Sequence, residues 1–197
     1  MLTYVIIALT VLVSWSCFNN RQLFDKLAFK PYRVIHAREW YRLITHGFVH
    51  ADMTHLFVNM FTYWSFGLYM EQIFDRMGFG FWAYPLLYFG GMIAASLYDL
   101  FRYRNASYYS SIGASGAVAA VLFSAIFLNP WDKVLFFAVI PIPGILFGVA
   151  YLFYCQYMAR RGVGNINHNA HFYGAIFGFF YPAFLEPRLL EFFFSHF

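Results

Sequence analysis

The chain has 197 residues, of which 61% are hydrophobic and 24% aromatic, and its formal net charge is +4. Only 11% of the residues are charged, which is about half the share in a typical soluble domain. This composition excludes an ordinary soluble globular protein and predicts an integral membrane protein.

Six long uncharged windows follow one another along the chain. Each approaches or exceeds the roughly 20 residues that a helix needs to cross a hydrocarbon core of about 30 Å. Because that core holds no water for backbone polar groups, apolar runs of this length are expected to be helical. The windows are residues 1–20, 53–70, 77–98, 105–131, 134–159 and 162–185. The sequence therefore predicts an all-α membrane protein, with six transmembrane helices in one domain over residues 1–197 and no soluble extension.

The first window and the connection after it carry two further predictions. The window has no positively charged segment before its apolar run and no small-residue cleavage site, which favours a retained helix over a signal peptide. Residues 19–52 combine charged side chains with aromatic ones such as Trp40 and Tyr41, a composition typical of an amphipathic element in the membrane interface. Cys17 and Cys155 lie in separate windows without metal-like spacing, and they indicate no disulfide framework.

Polar residues are concentrated around the start of the second window. His46 and His50 are four residues apart, and so are His55 and Asn59, a spacing that places two side chains on one helix face. Alone, a His–Asn pair serves interhelical hydrogen bonding more often than chemistry. A metal site built from the three histidines is an open alternative, although the HExxH motif and an intramembrane carboxylate are both absent. Glu71 is interpreted as a structural anchor in the loop after the second helix.

The fourth window opens with Ser115, between Gly113 and Gly116. A residue at a helix start lies beside unpaired backbone N–H groups and the positive end of the helix dipole. An oxyanion on a carbonyl attacked by Ser115 would meet those donors, and the glycines would permit close approach. The alternative is a small-residue packing face, continued by Ala120 and Ser124. A hydroxyl becomes a good nucleophile at neutral pH only when a base takes its proton.

The fifth window contains Pro141 and Pro143, and these residues predict a kink inside the fifth helix. Proline removes backbone hydrogen bonds in a helix interior, which makes this helix a candidate moving part. A static kink that the neighbouring helices tolerate is the alternative interpretation.

The sixth window opens with His171, which can supply the base. Gly174 and Gly178 lie on the same helix face as His171 and predict close packing against the small residues around Ser115. Both helices begin on the same side of the membrane, so the histidine and the serine can lie at one depth. His168 precedes the apolar run and is interpreted as a solvated loop histidine. Because the windows contain no Asp or Glu, the pair is a dyad rather than a triad.

Three motifs, taken in order, resemble those of the rhomboid intramembrane serine proteases in their basic six-helix bacterial form. They are HADMTHLFVN in the second helix, GASG opening the fourth and NAHFYGAIFG opening the sixth. The resemblance implies that Ser115 is the nucleophile and His171 the general base. It implies an oxyanion hole made by His55, Asn59 and the backbone N–H of Ser115. The supporting residues are His50, Gly113 and Gly116, and the structural residues are His46, Arg42, Glu71, Gly174 and Gly178.

The resemblance also implies an activity and a location. It predicts a serine endopeptidase that cleaves transmembrane protein substrates within the lipid bilayer, with the fifth helix as a lateral gate and with no metal, cofactor or nucleic acid. Some members place a tyrosine against the catalytic histidine from the position that Ala119 occupies here. Family topology opens the active site to the non-cytoplasmic side of a bacterial inner membrane, whereas the Lys and Arg count predicts the opposite orientation. The alternative function is a non-catalytic rhomboid-like protein that binds transmembrane helices.

Overall fold

The computed structural model describes residues 1–136, 139–162 and 166–197, and the described chain is mostly helical. A 3₁₀ turn at His46–Phe48 and a two-stranded hairpin, β1 (Lys133–Phe136) and β2 (Ile140–Pro143), interrupt the helices. The helices are α1 (Leu2–Phe18), α2 (Arg21–Leu27), α3 (Pro31–His36), α4 (Arg42–Thr45), α5 (Met53–Arg76), α6 (Ala83–Arg102), α7 (Ser115–Leu128), α8 (Gly144–Arg161), α9 (His168–Leu185) and α10 (Arg188–Phe194).

Each of the six predicted windows overlaps one of the longer helices, namely α1, α5, α6, α7, α8 and α9, and α5, α6 and α8 continue beyond the end of their windows. Residues 137–138 of the fifth window and 163–165 of the sixth lie outside the described residues. Among the helices that the structure describes, none combines the length and the apolar character that crossing a membrane requires.

The start of the fifth window is a hairpin, so the predicted proline kink is wrong. Strand β1 pairs antiparallel with β2, with Lys133 opposite Pro143. Pro141 and Pro143 alternate along β2, and Pro143 immediately precedes α8. Proline is tolerated on an edge strand and just before a helix, where its missing N–H costs no ladder or helix bond. Helix α8 therefore begins at Gly144, whose N–H donates to the carbonyl of Asp132 at 2.8 Å.

The connection between α1 and α5 is folded, and Arg42 links several of its turns. The side chain of Arg42 is only 3% exposed. Its guanidinium donates to the backbone carbonyls of Asp25 (2.8 Å) and Ala28 (2.6 Å), and it forms an ion pair with Glu39. Arg33, which is about half exposed, reaches the same carboxylate from outside.

Replacing Arg42 by Ala is expected to lower the free energy of unfolding by roughly 3 kcal/mol, because two carbonyls and Glu39 lose a buried cationic partner. Thermal unfolding of the purified protein measures this loss. The matched control is Arg33→Ala, which removes an exposed arginine from the same carboxylate and should lower the free energy of unfolding much less than Arg42→Ala does. Equal losses in the two variants would contradict this account of Arg42.

The same ion pairs give the stability of the connection a defined pH dependence. Hydrogen bonds from Arg33, and then from Arg42, lower the pKa of Glu39 to about 2. A carboxylate with a lowered pKa stabilises the fold above its unfolded pKa of about 4.3, and that contribution disappears as the pH falls toward 2. The difference in melting temperature between wild type and Glu39→Gln should therefore be constant from pH 5 to neutrality and shrink below about pH 4.

Helix α7 lies at the centre of the bundle. Every residue from Gly116 to Leu128 is buried, and α7 packs most extensively against α9, then against α6 and α5. The glycine face of α9 and the small-residue face of α7 are in contact. A Cβ placed on Gly174 would lie 2.2 Å from the carbonyl oxygen of Gly116, and one on Gly178 would lie 2.0 Å from that of Ala120. The two backbones therefore touch, because neither glycine has a side chain to separate them.

Candidate active site

Ser115 is the first residue of α7, and it follows a loop whose backbone conformation requires a glycine at position 113. Gly113 has a φ of +107°, a conformation that other residues rarely adopt, and its N–H donates to the carbonyl of His46 at 2.9 Å. The bond from the N–H of Val118 to the carbonyl of Ala114 begins the helical pattern. The backbone N–H groups of Ser115 and Gly116 precede that bond and lie at the positive end of the helix.

His171 lies in the first turn of α9, beside the start of α7. The side chain of Asn167 caps α9 by accepting the N–H of Ala170 at 3.0 Å. A Cβ on Gly116, the residue after Ser115, would be 3.3 Å from the carbonyl oxygen of Ala170, the residue before His171. The predicted nucleophile and base therefore lie on adjoining turns. Within the described residues, no hydrogen bond joins their side chains.

A tyrosine on α8 stacks on the predicted base. The rings of Tyr151 and His171 are nearly parallel, with an interplanar angle of 10° and centroids 6.3 Å apart. Tyr151 thus gives the His171 ring an aromatic neighbour, which the alanine at position 119 cannot provide. Sequence reasoning missed it, because a contact between residues 20 positions apart on two helices has no signature in spacing.

His168 is buried, so its assignment to a solvated loop is wrong. It is the first residue of α9 and is 5% exposed. Its ring meets the edge of Tyr154 on α8 at 5.5 Å and lies 6.0 Å from the ring of His171. The error arose because residue 168 precedes the apolar run, whereas α8 covers that position in the folded chain.

The two side chains predicted for the oxyanion hole, His55 and Asn59, lie on α5, and His55 faces the loop before Ser115. A Cβ on Gly113 would be 2.9 Å from Cε1 of His55. The buried Asn59 donates from Nδ2 to the carbonyl of His55 at 3.0 Å, which leaves its second amide hydrogen for another acceptor. The ring of His50 meets that of His55 edge-on at 4.9 Å. Nδ1 of His50 lies 3.0 Å from the hydroxyl of Ser14 on α1.

The remaining predicted residues make contacts between elements. Nε2 of His46 lies 3.1 Å from the hydroxyl of Ser96 on α6, and its ring packs against Phe29 at 5.5 Å. Glu71 lies within α5, so its assignment to a loop is wrong, because the helix continues to Arg76. Its carboxylate accepts the N–H groups of Leu2 and Thr3 at the start of α1. This contact satisfies donors that have no partner within α1.

A buried carboxylate that the sequence did not single out anchors both helices of the site. Asp99 is 1% exposed and accepts hydrogen bonds from the hydroxyl of Tyr109 (2.7 Å) and from Nδ2 of Asn167 (2.5 Å). Tyr109 belongs to the loop that leads to Ser115, and Asn167 caps the helix that carries His171. One carboxylate on α6 therefore fixes both the loop before Ser115 and the N-terminal cap of the helix that carries His171.

The residues with metal-ligating geometry differ from the three histidines considered above. In the described ranges, the group that could hold a metal ion is Cys155, His168 and His171. His46 and His50 instead pair with hydroxyl groups on different helices.

Comparison with known proteins gives consistent matches. The family model of the Rhomboid domain matches residues 37–188. RHOMBOID-like protein 12, mitochondrial, of Arabidopsis thaliana is 28% identical over 185 residues, 84% of this chain and 52% of the relative. Rhomboid protein 1, mitochondrial, of Saccharomyces cerevisiae is 33% identical over 153 residues, 75% of this chain and 42% of the relative. Rhomboid protease GluP of Bacillus subtilis is 28% identical over 193 residues, 92% of this chain and 34% of the relative. The chain spans about half or less of the length of these relatives.

Proposed function

The chain belongs to the rhomboid family, and from this premise we propose that it is an intramembrane serine endopeptidase that cleaves transmembrane segments with a Ser115–His171 dyad. The family is membrane-embedded and acts on transmembrane substrates in the bilayer. The observation that carries the proposal is the contact between Gly116 and Ala170, which brings the first turns of α7 and α9 together.

The proposed reaction uses these two turns. His171 accepts the proton of the Ser115 hydroxyl while the oxygen attacks the scissile carbonyl, and the imidazolium then gives that proton to the leaving amine. The oxyanion lies near the backbone N–H of Ser115, the free amide hydrogen of Asn59 and the ring of His55. A water molecule that loses its proton to His171 then hydrolyses the acyl-enzyme.

The surface of the bundle supports a position in the membrane. Large apolar side chains point outward from α1, α5, α8 and α9. They include Leu12, Trp15, Phe57, Phe61, Phe153 and Phe184, the last of which is 89% exposed. A contiguous apolar exterior is costly in water and favourable in lipid. We place the six longer helices across the bilayer, where their backbone polar groups are paired within each helix.

The proposal also includes the membrane in which the protein lies and a role for α8 in substrate entry. We propose a bacterial inner membrane, with the active site opening to the non-cytoplasmic side, as the family resemblance implies; the matched relatives are a bacterial protease and mitochondrial proteins. Helix α8 buries only Gly144, Gly148 and Cys155, so it is weakly held in the bundle and suits the role of lateral gate.

The direct test is cleavage of a single-pass transmembrane protein by purified protein in liposomes. The substrate carries small, helix-destabilising residues near one end of its transmembrane segment. We expect a defined internal cut with wild type and none with Ser115→Ala. Equal binding of the substrate by both proteins without any cut would support the alternative, a non-catalytic binder of transmembrane helices.

Replacing Asn59 by Ala should lower kcat about 100-fold and change KM little, because the lost donor stabilises charge that develops only in the transition state. Cleavage rates in liposomes over a range of substrate densities separate the two constants. Asn105→Ala, at an exposed loop position, is the matched control and should behave as wild type. A rise in KM at unchanged kcat would assign Asn59 to substrate binding instead.

A further inference from the structure

Three side chains of metal-ligand type converge between α8 and the start of α9. They are Cys155, His168 and His171, and one ligand atom from each lies within 4.8 Å of the other two. Cys155 is fully buried and His168 nearly so. In addition, Nδ1 of His168 is buried without a hydrogen-bond partner in the described part of the chain. Burying an unpartnered polar atom is costly, and a metal ion coordinated through Nδ1 would remove that cost.

The thiol and the two imidazoles of this cluster favour a divalent transition-metal ion over calcium or magnesium. Thiolate sulfur and imidazole nitrogen are the ligands that zinc takes in proteins, whereas calcium and magnesium prefer oxygen ligands, which are absent from this group. Tetrahedral zinc, with bonds of about 2.0 to 2.3 Å, holds its ligand atoms roughly 3.4 to 3.6 Å apart. The separations of these atoms, at most 4.8 Å, must then shrink by no more than about 1.4 Å.

We propose that Cys155, His168 and His171 form a zinc site that reversibly inhibits the protein. On binding, the Cys155 thiol loses its proton to solvent, and both histidines coordinate as neutral imidazoles. Three metal–ligand bonds form as hydrated zinc releases water molecules, and the S–H bond is the only protein bond that breaks. The proton loss makes binding stronger as the pH rises, and a water molecule completes the four-coordinate shell.

Bound zinc acts on the site in two ways. A coordinated nitrogen of His171 cannot accept the proton of Ser115, and the other ring nitrogen of the neutral imidazole already carries a hydrogen, so it cannot accept one either. The metal also joins Cys155 on α8 to two residues of α9, which ties the proposed gate helix to the core of the bundle. The inhibitory consequence rests on the proposed protease function, whereas zinc binding itself does not.

The binding test uses the metal-free full chain and a readout independent of activity. Cobalt(II) added to wild type should give the absorption band of a thiolate-bound metal, and one equivalent of zinc should abolish it. Cys155→Ser should lose the band and bind zinc at least about 10-fold more weakly. Cys17→Ser removes the other buried cysteine, on α1, and should match wild type. His168→Gln, which keeps the thiol, should also weaken zinc binding.

The inhibition test follows the labelling of Ser115 by a fluorophosphonate probe at buffered zinc concentrations. Zinc should suppress labelling in wild type and in Cys17→Ser, and a chelator should restore it. Cys155→Ser should still be labelled at zinc concentrations that abolish the labelling of wild type. Zinc affinity that is unchanged by Cys155→Ser, or bound zinc that leaves wild-type labelling intact, would overturn the proposal. If wild type does not label without zinc, the protease proposal fails, and the cobalt band still decides whether the site exists.

Discussion

Wild-type protein is expected to react with a fluorophosphonate probe at Ser115, and His171→Ala is expected to slow that reaction by roughly 10³- to 10⁴-fold. The loss is large because a serine hydroxyl near neutral pH is almost entirely protonated, and it attacks phosphorus effectively only when a neighbouring base removes the proton. Ser115→Ala should not label at all. The rate of fluorescent labelling in detergent measures both effects.

Two substitutions away from the site serve as controls for this experiment. Ser65→Ala removes an exposed hydroxyl of α5 that bonds only to its own helix, and His36→Ala removes an exposed histidine of α3. Both variants should label at the wild-type rate. If His171→Ala also labels at that rate while it remains folded, the assignment of His171 as the base is wrong.

Gly178→Ala is expected to lower the free energy of unfolding by about 3 kcal/mol, the upper part of the range for overpacked cores. The added methyl group would lie 2.0 Å from the carbonyl oxygen of Ala120 and 2.3 Å from its Cα. Both are backbone atoms, so no side chain can rotate away and α9 itself must move from α7. Because that movement displaces His171, labelling of Ser115 should fall together with stability.

The same substitution at Gly148 of α8 is the matched control. A methyl group there would meet a ring carbon of Phe123 at 3.4 Å, an ordinary contact, so Gly148→Ala should change stability by well under 1 kcal/mol. Thermal unfolding of both variants in one detergent makes the comparison. Equal melting temperatures would mean that the close approach of α7 and α9 is not needed for the fold.

Several features could be predicted from the sequence because their signals are local. Hydropathy located the long helices, and the spacing of Gly174 and Gly178 indicated a face for close packing. The family could also be predicted, because three motifs occur in the expected order. The match to the Rhomboid domain confirms this prediction. The number of membrane spans stays a prediction.

Other features depend on contacts between distant segments, which no single window contains. An apolar hairpin and an apolar helix have the same hydropathy, so hydropathy could not distinguish strands β1 and β2 from the start of a helix. The positions of Tyr151, Cys155 and His168 follow from the packing of α8 against α9. Asp99 lay at the edge of a window, and only the fold shows that it holds Asn167.

The anchoring of two helix starts by Asp99 has a consequence for the response of the protein to different lipids. The carboxylate ties the loop before α7 and the cap of α9 to the same helix, and α7 itself is enclosed by protein. Lipids with longer or shorter acyl chains press first on the outer helices, which adjust to bilayer thickness by tilting. The separation of the serine and the histidine should therefore be insensitive to hydrophobic mismatch, and bilayer thickness should instead alter the position of α8, the proposed gate.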